Sequence, residues 1–112
     1  MPDTTATTMT AGWDITAADA LPWVPWGGDG RARAKVLADG DGYTMVLVEA
    51  DVGYVGTEHE HAHTEFGYVL SGEVQNQGQV LTSGGAFVAR AGSRHTDFEV
   101  LRPATYLTIF RL

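Results

Sequence analysis

Three histidines and a glutamate lie close together in the segment TEHEHAHTEFGYVLSG, at residues 57–72. His59, His61, His63 and Glu65 fall on every second position. Side chains two residues apart on a β-strand point to the same face, so these groups can converge on one point. Neutral imidazole and carboxylate together suit Zn, Fe, Mn, Co or Ni. The spacing favours a metal site, and a merely polar, solvated strand face is the alternative interpretation.

A closed metal site needs a further ligand from elsewhere in the chain. The fourth histidine of the sequence is His95, which follows a glycine turn and begins a predicted strand. An antiparallel partner strand would bring His95 opposite His59 and His61. The sequence therefore predicts that two distant segments share one metal site.

The first of these segments resembles the first sequence motif of the cupin superfamily. That motif is a glycine, five residues, His-x-His, three or four residues, a glutamate, six residues and a second glycine. The sequence matches it at every fixed position, with Gly53, His59, His61, Glu65 and Gly72.

The segment around His95 is similar to the second cupin motif, which is a glycine, five residues, Pro-x-Gly, two residues, a histidine, three residues and an asparagine. Gly84, Gly92 and His95 match it. Arg90 stands in place of the proline and Glu99 in place of the asparagine. Neither position is a metal ligand in the family, so the metal prediction is unaffected.

The resemblance implies an all-β fold, a double-stranded β-helix that forms a jelly-roll β-barrel over residues 31–112. It also implies one divalent metal ion per chain, with Fe, Zn, Mn, Ni and Co all open. The ligands implied are His59, His61, Glu65 and His95. Within the superfamily, Pro25-Trp26 and Lys35-Val36-Leu37 look like the anti-sigma-factor cupin domains and the diketone- and aryl-ketone-cleaving dioxygenases.

The residues themselves also indicate an all-β chain. Ten of the fourteen glycines lie after residue 31, where they separate short runs of strand-forming residues. Residues 59–70 are predicted as one strand, and Pro103 is predicted to separate two strands near the end. Residues 1–12 are predicted to be a disordered tail. Residues 13–30, with all three tryptophans and two prolines, are predicted to be an extended arm that docks on the domain or on a second subunit.

Three further residues are candidates for catalysis. His63 has the parity of the predicted ligands, but four protein ligands complete the site, so a role beside the metal or at the pocket mouth is favoured. Asp97 shares the parity of His95 and could act as a general base, or lie in water at a strand end. Tyr43 could line the pocket or belong to an ordinary core stripe.

The composition limits the partners. The formal charge is −7, with Lys35 as the single lysine, which argues against nucleic acid or an anionic membrane surface. There are no cysteines, which excludes thiolate metal sites and cysteine nucleophiles. The first residues lack the pattern of a signal peptide, so a cytoplasmic location is expected. The tryptophan-bearing arm predicts a homodimer.

The predicted site indicates a metal-dependent enzyme. Four protein ligands on a six-coordinate ion leave two open positions, which suit a small carbonyl or enol substrate that binds through two oxygens. Iron would favour dioxygenase-type C–C cleavage, whereas zinc, nickel or manganese would favour an isomerase or a polyketide cyclase. A non-catalytic metal or small-molecule sensor is a further alternative, as is a jelly roll in which the metal only stabilises the fold and side chains fill the pocket.

Overall fold

The chain folds almost entirely into β-strands. The computed structural model describes residues 7–111, so the predicted tail at residues 1–6 lies outside the described residues. Within this range there are eleven strands and a single 3-10 turn at Ala18–Ala20. The strands are β1 (Thr7–Thr10), β2 (Trp13–Thr16), β3 (Val24–Trp26), β4 (Ala32–Gly40), β5 (Tyr43–Ala50), β6 (His59–Glu60), β7 (Glu65–Asn76), β8 (Gln79–Leu81), β9 (Ala86–Ala89), β10 (Arg94–His95) and β11 (Glu99–Arg111). The all-β prediction is confirmed, and between residues 7 and 111 no helix has the length and apolar character needed to cross a bilayer.

Seven strands form one large antiparallel sheet, in the order β3–β4–β5–β11–β7–β8, with β9 also paired to β7. The register between β7 and β11 shifts at three places between Val100 and Tyr106. Such bulges bend and twist a strand, which lets a single sheet curve around a core. Five fully buried valines lie at the centre of that core: Val46, Val48, Val69, Val74 and Val100.

The predicted break at Pro103 is wrong, because β11 runs through it as one strand. Pro103 has no register partner on either neighbouring strand and lies inside the bulged region. A proline lacks the N–H that a regular strand position must donate, so it is tolerated at a bulge. Opposite it, Gly72 takes a φ of +84°, and a Cβ there would lie 2.1 Å from the Pro103 carbonyl oxygen.

The histidine segment is divided between two sheets, so the prediction of one strand over residues 59–70 is wrong. His59–Glu60 form β6, which pairs with β10 as a separate two-stranded ribbon. Residues 61–64 then bend, and β7 enters the large sheet at Glu65. The predicted ligands therefore come from two sheets and the bend between them, and do not share one strand face.

The N-terminal arm begins with a β-hairpin. Strands β1 and β2 pair with each other around Ala11 and Gly12, both at positive φ. This hairpin includes residues 7–12, which the sequence predicts to be part of a disordered tail. Strand β3 joins the large sheet by pairing with β4, so the arm is tied to the barrel at one end.

Two of the three indoles dock on the domain. Lys35 Nζ lies 4.6 Å from the centroid of the Trp23 ring and donates a 2.8 Å hydrogen bond to the Ala18 carbonyl. Trp26 packs on the core, with its ring centroid 6.4 Å from that of Phe110. Trp13, in the hairpin, is 70% exposed.

Candidate metal centre

Four side chains converge at one end of the barrel. His59, His61, Glu65 and His95 each offer a ligand atom, and these atoms all lie within 4.8 Å of one another. The ring centroids of His59 and His61 are 4.7 Å apart, and those of His59 and His95 are 5.1 Å apart. These are the four residues that the sequence predicted as ligands, and their chemistry suits a first-row divalent ion.

The ribbon of β6 and β10 positions the three imidazoles. His95 lies directly opposite His59 in the antiparallel register, as the sequence predicted. Beyond β6, the His61 N–H donates to the Ser93 carbonyl at 2.8 Å and the Gly92 N–H donates to the His61 carbonyl at 2.7 Å. These two hydrogen bonds extend the ribbon past its strand residues and hold His61 beside the other two rings.

Backbone carbonyls orient two of the imidazoles. His59 Nδ1 lies 2.7 Å from the Thr57 carbonyl oxygen, and His61 Nδ1 lies 3.2 Å from the Ser93 carbonyl oxygen. When Nδ1 carries the proton and donates it to a carbonyl, Nε2 keeps its lone pair. Metal-binding histidines are commonly fixed in this way, so both Nε2 atoms are available as ligands.

The carboxylate of Glu65 is held at both oxygens. Oε1 lies 2.8 Å from His61 Nε2, inside the cluster. Oε2 accepts a 2.5 Å hydrogen bond from the hydroxyl of Thr108, which is buried on β11. Sequence reasoning missed Thr108, because no motif marks it. Residues 106, 108 and 110 alternate along the last strand and so point to the same inner face. This alternation with Tyr106 and Phe110 is the one sequence feature that could have indicated Thr108.

Replacing Thr108 with valine is expected to weaken metal binding about 10- to 100-fold, the range typical of losing a partner that orients a ligand. Valine keeps the shape of threonine but cannot donate to Glu65 Oε2, so the carboxylate loses one anchor. The measurement is a competition titration with a metal-sensitive chelator. Thr105→Val, on the outer face of the same strand, is the matched control, and an equal loss in both variants would contradict the role of Thr108.

His95 gives the clearest sign that an ion fits this cluster. Both of its ring nitrogens are buried, and neither has a hydrogen-bond partner among the described residues. A buried polar atom without a partner costs free energy, and a bound cation would satisfy one of the two. Burial lowers the pKa of His95 below its ordinary value, and Glu65 offsets only part of that effect. The imidazole is therefore neutral near pH 7, as a metal ligand must be.

The lowered pKa of His95 predicts that the metal-free protein loses stability in acid. Below about pH 6.5 the unfolded chain binds a proton at this histidine that the folded chain does not. Stability therefore falls as the pH drops from about 6.5 toward the lowered folded pKa. Thermal unfolding between pH 5 and pH 8 measures this slope. His95→Asn should flatten it relative to the wild type, and an unchanged slope in that variant would contradict the assignment.

A cavity of about 470 Å³ opens next to the four ligands. Six aromatic side chains line it beside the ligands: Trp26, Tyr54, Phe87, Phe98, Tyr106 and Phe110. Phe87 reaches this position because residue 67 is glycine, where a Cβ would lie 2.2 Å from its ring. Burial raises the pKa of both Tyr54 and Tyr106, so their phenols stay protonated. An open cavity argues against the jelly roll with a filled interior.

The three catalytic candidates lie in different places. His63 lines the cavity from an exposed position outside the four-ligand group. Asp97 accepts a 2.7 Å hydrogen bond from the Gly78 N–H, in the turn between β7 and β8. Tyr43 is exposed, with the Arg111 guanidinium 5.5 Å from its ring centroid. Among the described residues, Tyr43 and Asp97 are not part of the cavity wall.

Comparison with known proteins points to the family suggested by the histidine motifs. The family model of the ChrR cupin-like domain matches residues 12–111. None of the curated proteins compared with the chain matches it.

Solved structures share the fold. KdgF from Halomonas sp. is 29% identical, with 87% of this chain and 93% of that chain covered and a TM-score of 0.74. An acetylacetone dioxygenase from Acinetobacter johnsonii is 13% identical, with coverage of 93% and 76% and a TM-score of 0.76. A chain in the complex of Rhodobacter sphaeroides SigE with the anti-sigma ChrR is 21% identical, with coverage of 79% and 47% and a TM-score of 0.68. The predicted cupin fold is confirmed.

Proposed function

Since the chain belongs to the family of ChrR cupin-like domains, we propose that it is a metal-dependent enzyme acting on a small carbonyl or enol substrate by dioxygenase-type C–C cleavage. One observation carries the proposal: three imidazoles and one carboxylate converge beside an aromatic cavity of about 470 Å³. A cavity of this volume suits a small molecule of metabolite size. The acetylacetone dioxygenase that shares the fold supports the choice of substrate class.

A divalent ion held by His59, His61, Glu65 and His95 would supply Lewis acidity toward a carbonyl oxygen and, if it is iron, redox chemistry with O₂. The aromatic wall binds the apolar part of the substrate and keeps bulk water away from the reacting end. The protonated phenols of Tyr54 and Tyr106 are hydrogen-bond donors on that wall. They can bind a carbonyl oxygen without taking a proton from the substrate.

His63 is the residue placed to exchange protons with solvent. Its side chain is exposed and lies at the cavity, outside the four-ligand group. An imidazole can both accept and donate a proton, and an exposed one can exchange that proton with water. We assign His63 the role of taking a proton from an enolisable substrate and returning it to solvent.

The test begins with elemental analysis of protein purified without a metal-affinity column, with His61→Ala as control. Iron at about one ion per chain, followed by oxygen uptake and cleavage of a diketone or hydroxyketone, is the expected result. Iron-loaded protein that consumes no oxygen with any member of such a panel would contradict the proposal. Zinc, nickel or manganese with substrate rearrangement would show an isomerase or a polyketide cyclase. Ligand binding without turnover would show a sensor.

A further inference from the structure

The outer face of the large sheet carries an apolar patch. Phe66, Tyr68 and Leu70 of β7 point away from the core and, like Val88 of β9, are each 42–48% exposed. In the sheet register Phe66 lies between Val88 and Ile109, and Tyr68 lies beside Leu107 of β11. Directly opposed residues share a sheet face. The outer patch is therefore Phe66, Tyr68, Leu70, Val88, Leu107 and Ile109.

The patch is uncharged on a strongly acidic chain. The chain carries a net charge of −7, yet none of the six patch residues is ionisable except the phenol of Tyr68. Toward β4 the apolar face continues through Leu47 and Met45 of β5, which lie opposite Leu107 and Ile109. The ion pair of Arg33 with Glu49, at 2.6 Å, lies outside the patch, opposite Thr105. Like charges facing each other across an interface repel. A neutral patch is thus a surface on which a second acidic copy of the same chain can dock.

The N-terminal hairpin offers a second uncovered apolar surface. Trp13 and Ile15 lie opposite Thr10 and Thr8, so these four uncharged residues share one face of the hairpin. Trp13 is 70% exposed and Ile15 is 58% exposed. Among the described strands, β1 and β2 pair with no strand other than each other. An isolated two-stranded hairpin is marginally stable in water, so this hairpin requires another surface to lie against.

The segment that follows the hairpin lies on the outer face of the large sheet, the face that carries the outer patch. Lys35 is on the outer face of β4, in register with Leu47 of β5. It holds the connection through the Ala18 carbonyl and the Trp23 ring. The hairpin therefore leaves the domain from the same face that carries the outer patch.

The sizes of the two surfaces favour their joint use. Three strands at about 4.8 Å spacing and three outward residues along β7 give a patch of roughly 15 by 20 Å, or about 300 Å². A stable interface takes about 800 Å² from each partner, so the patch alone is too small. In a two-fold dimer every contact occurs twice, and each copy can then contribute both its patch and its hairpin.

We propose that two copies of this chain form a dimer in which the hairpin of each copy lies on the outer patch of the other. Trp13 and Ile15 pack on Phe66 and Tyr68, and the contact is repeated by the two-fold axis. This assigns a surface to the homodimer that the tryptophan-bearing arm predicts.

The test is sedimentation equilibrium of the full chain and three variants. Wild type is expected to be dimeric at micromolar concentration. Trp13→Thr and Tyr68→Lys should each weaken the dimer about 30-fold or more, because each removes an aromatic anchor from both copies of the contact. Val52→Lys, at an exposed valine in the loop after β5, is the matched control and should stay dimeric. Monomeric wild type, or a dimer that tolerates both aromatic changes, would overturn the proposal.

Mixing the Trp13→Thr and Tyr68→Lys variants distinguishes a dimer built from hairpin–patch contacts from dimers built in other ways. The intact hairpin of the Tyr68→Lys chain can lie on the intact patch of the Trp13→Thr chain, which restores one of the two contacts. Fluorescently labelled variants should therefore associate with each other more tightly than either associates with itself. Equal or weaker mixed association would show that hairpin and patch do not meet. Should Tyr68→Lys unfold, Leu70→Ser takes its place as the patch variant.

Discussion

Replacing His61 with alanine is expected to remove nearly all bound metal while the β-barrel stays folded. His61 Nε2 lies 2.8 Å from Glu65 Oε1, so its loss takes away one ligand and leaves the carboxylate with the hydrogen bond from Thr108 alone. Losing a residue that merely orients a ligand costs 10- to 100-fold in affinity, and losing the ligand itself should cost more than about 100-fold. The fold should survive because the five fully buried valines at the centre of the core are not among the residues that line the cavity.

The control for that experiment is His63→Ala, the same substitution two residues away. His63 lies outside the four-ligand group, so this variant should keep about one ion per chain. Elemental analysis gives the metal content, and circular dichroism shows whether the β-structure is retained. Full metal content in His61→Ala would refute the site as described, and so would equal loss in both variants.

Replacing Gly72 with alanine is expected to destabilise the fold by about 3 kcal/mol. Two effects add. Alanine at a left-handed φ costs about 1–2 kcal/mol, and the φ here is +84°. A Cβ would also lie 2.1 Å from the Pro103 carbonyl oxygen and 2.5 Å from the Ala104 Cα. Both atoms belong to the backbone of β11, so the strands must move apart at about 1–3 kcal/mol.

Gly78 is the control that separates the steric clash of a new Cβ with β11 from the cost of the left-handed backbone conformation. Gly78 has a φ of +75°, but a Cβ there would meet no atom within 4 Å. Gly78→Ala should therefore cost about 1–2 kcal/mol, the conformational part alone. Urea unfolding measures both variants at one temperature. If the two losses are equal, the contact between Gly72 and Pro103 contributes nothing and only the backbone conformation matters.

The features that could be predicted from the sequence are those marked by residue types at short spacing along the chain. His59, His61 and Glu65 were identifiable from their types and spacing, and His95 from being the one histidine left to face them. The strands β4 and β5, joined by a turn at Asp41 and Gly42, follow from alternating residues around a glycine.

The remaining features depend on contacts between distant strands. Nothing near Thr108 in the sequence shows that the register of β11 brings it to Glu65. Residues 61–64 keep the alternation of a strand, yet they bend because β6 and β7 belong to different sheets. Pro103 breaks strands in general, and only the bulge opposite Gly72 makes it acceptable here. Such tertiary features override local preference.

The ribbon of β6 and β10 is expected to control how fast a bound metal ion would leave the protein. Each of its strands has only two residues, and short elements open far more often than the sheet around the core. The amide hydrogens of His61 and Gly92, which bond across the ribbon, should exchange with deuterium quickly in the metal-free protein and slowly in the loaded one. Those of β5 should exchange slowly in both. The residence time of a bound ion would then be set by local opening of the ribbon, independently of the global stability of the barrel.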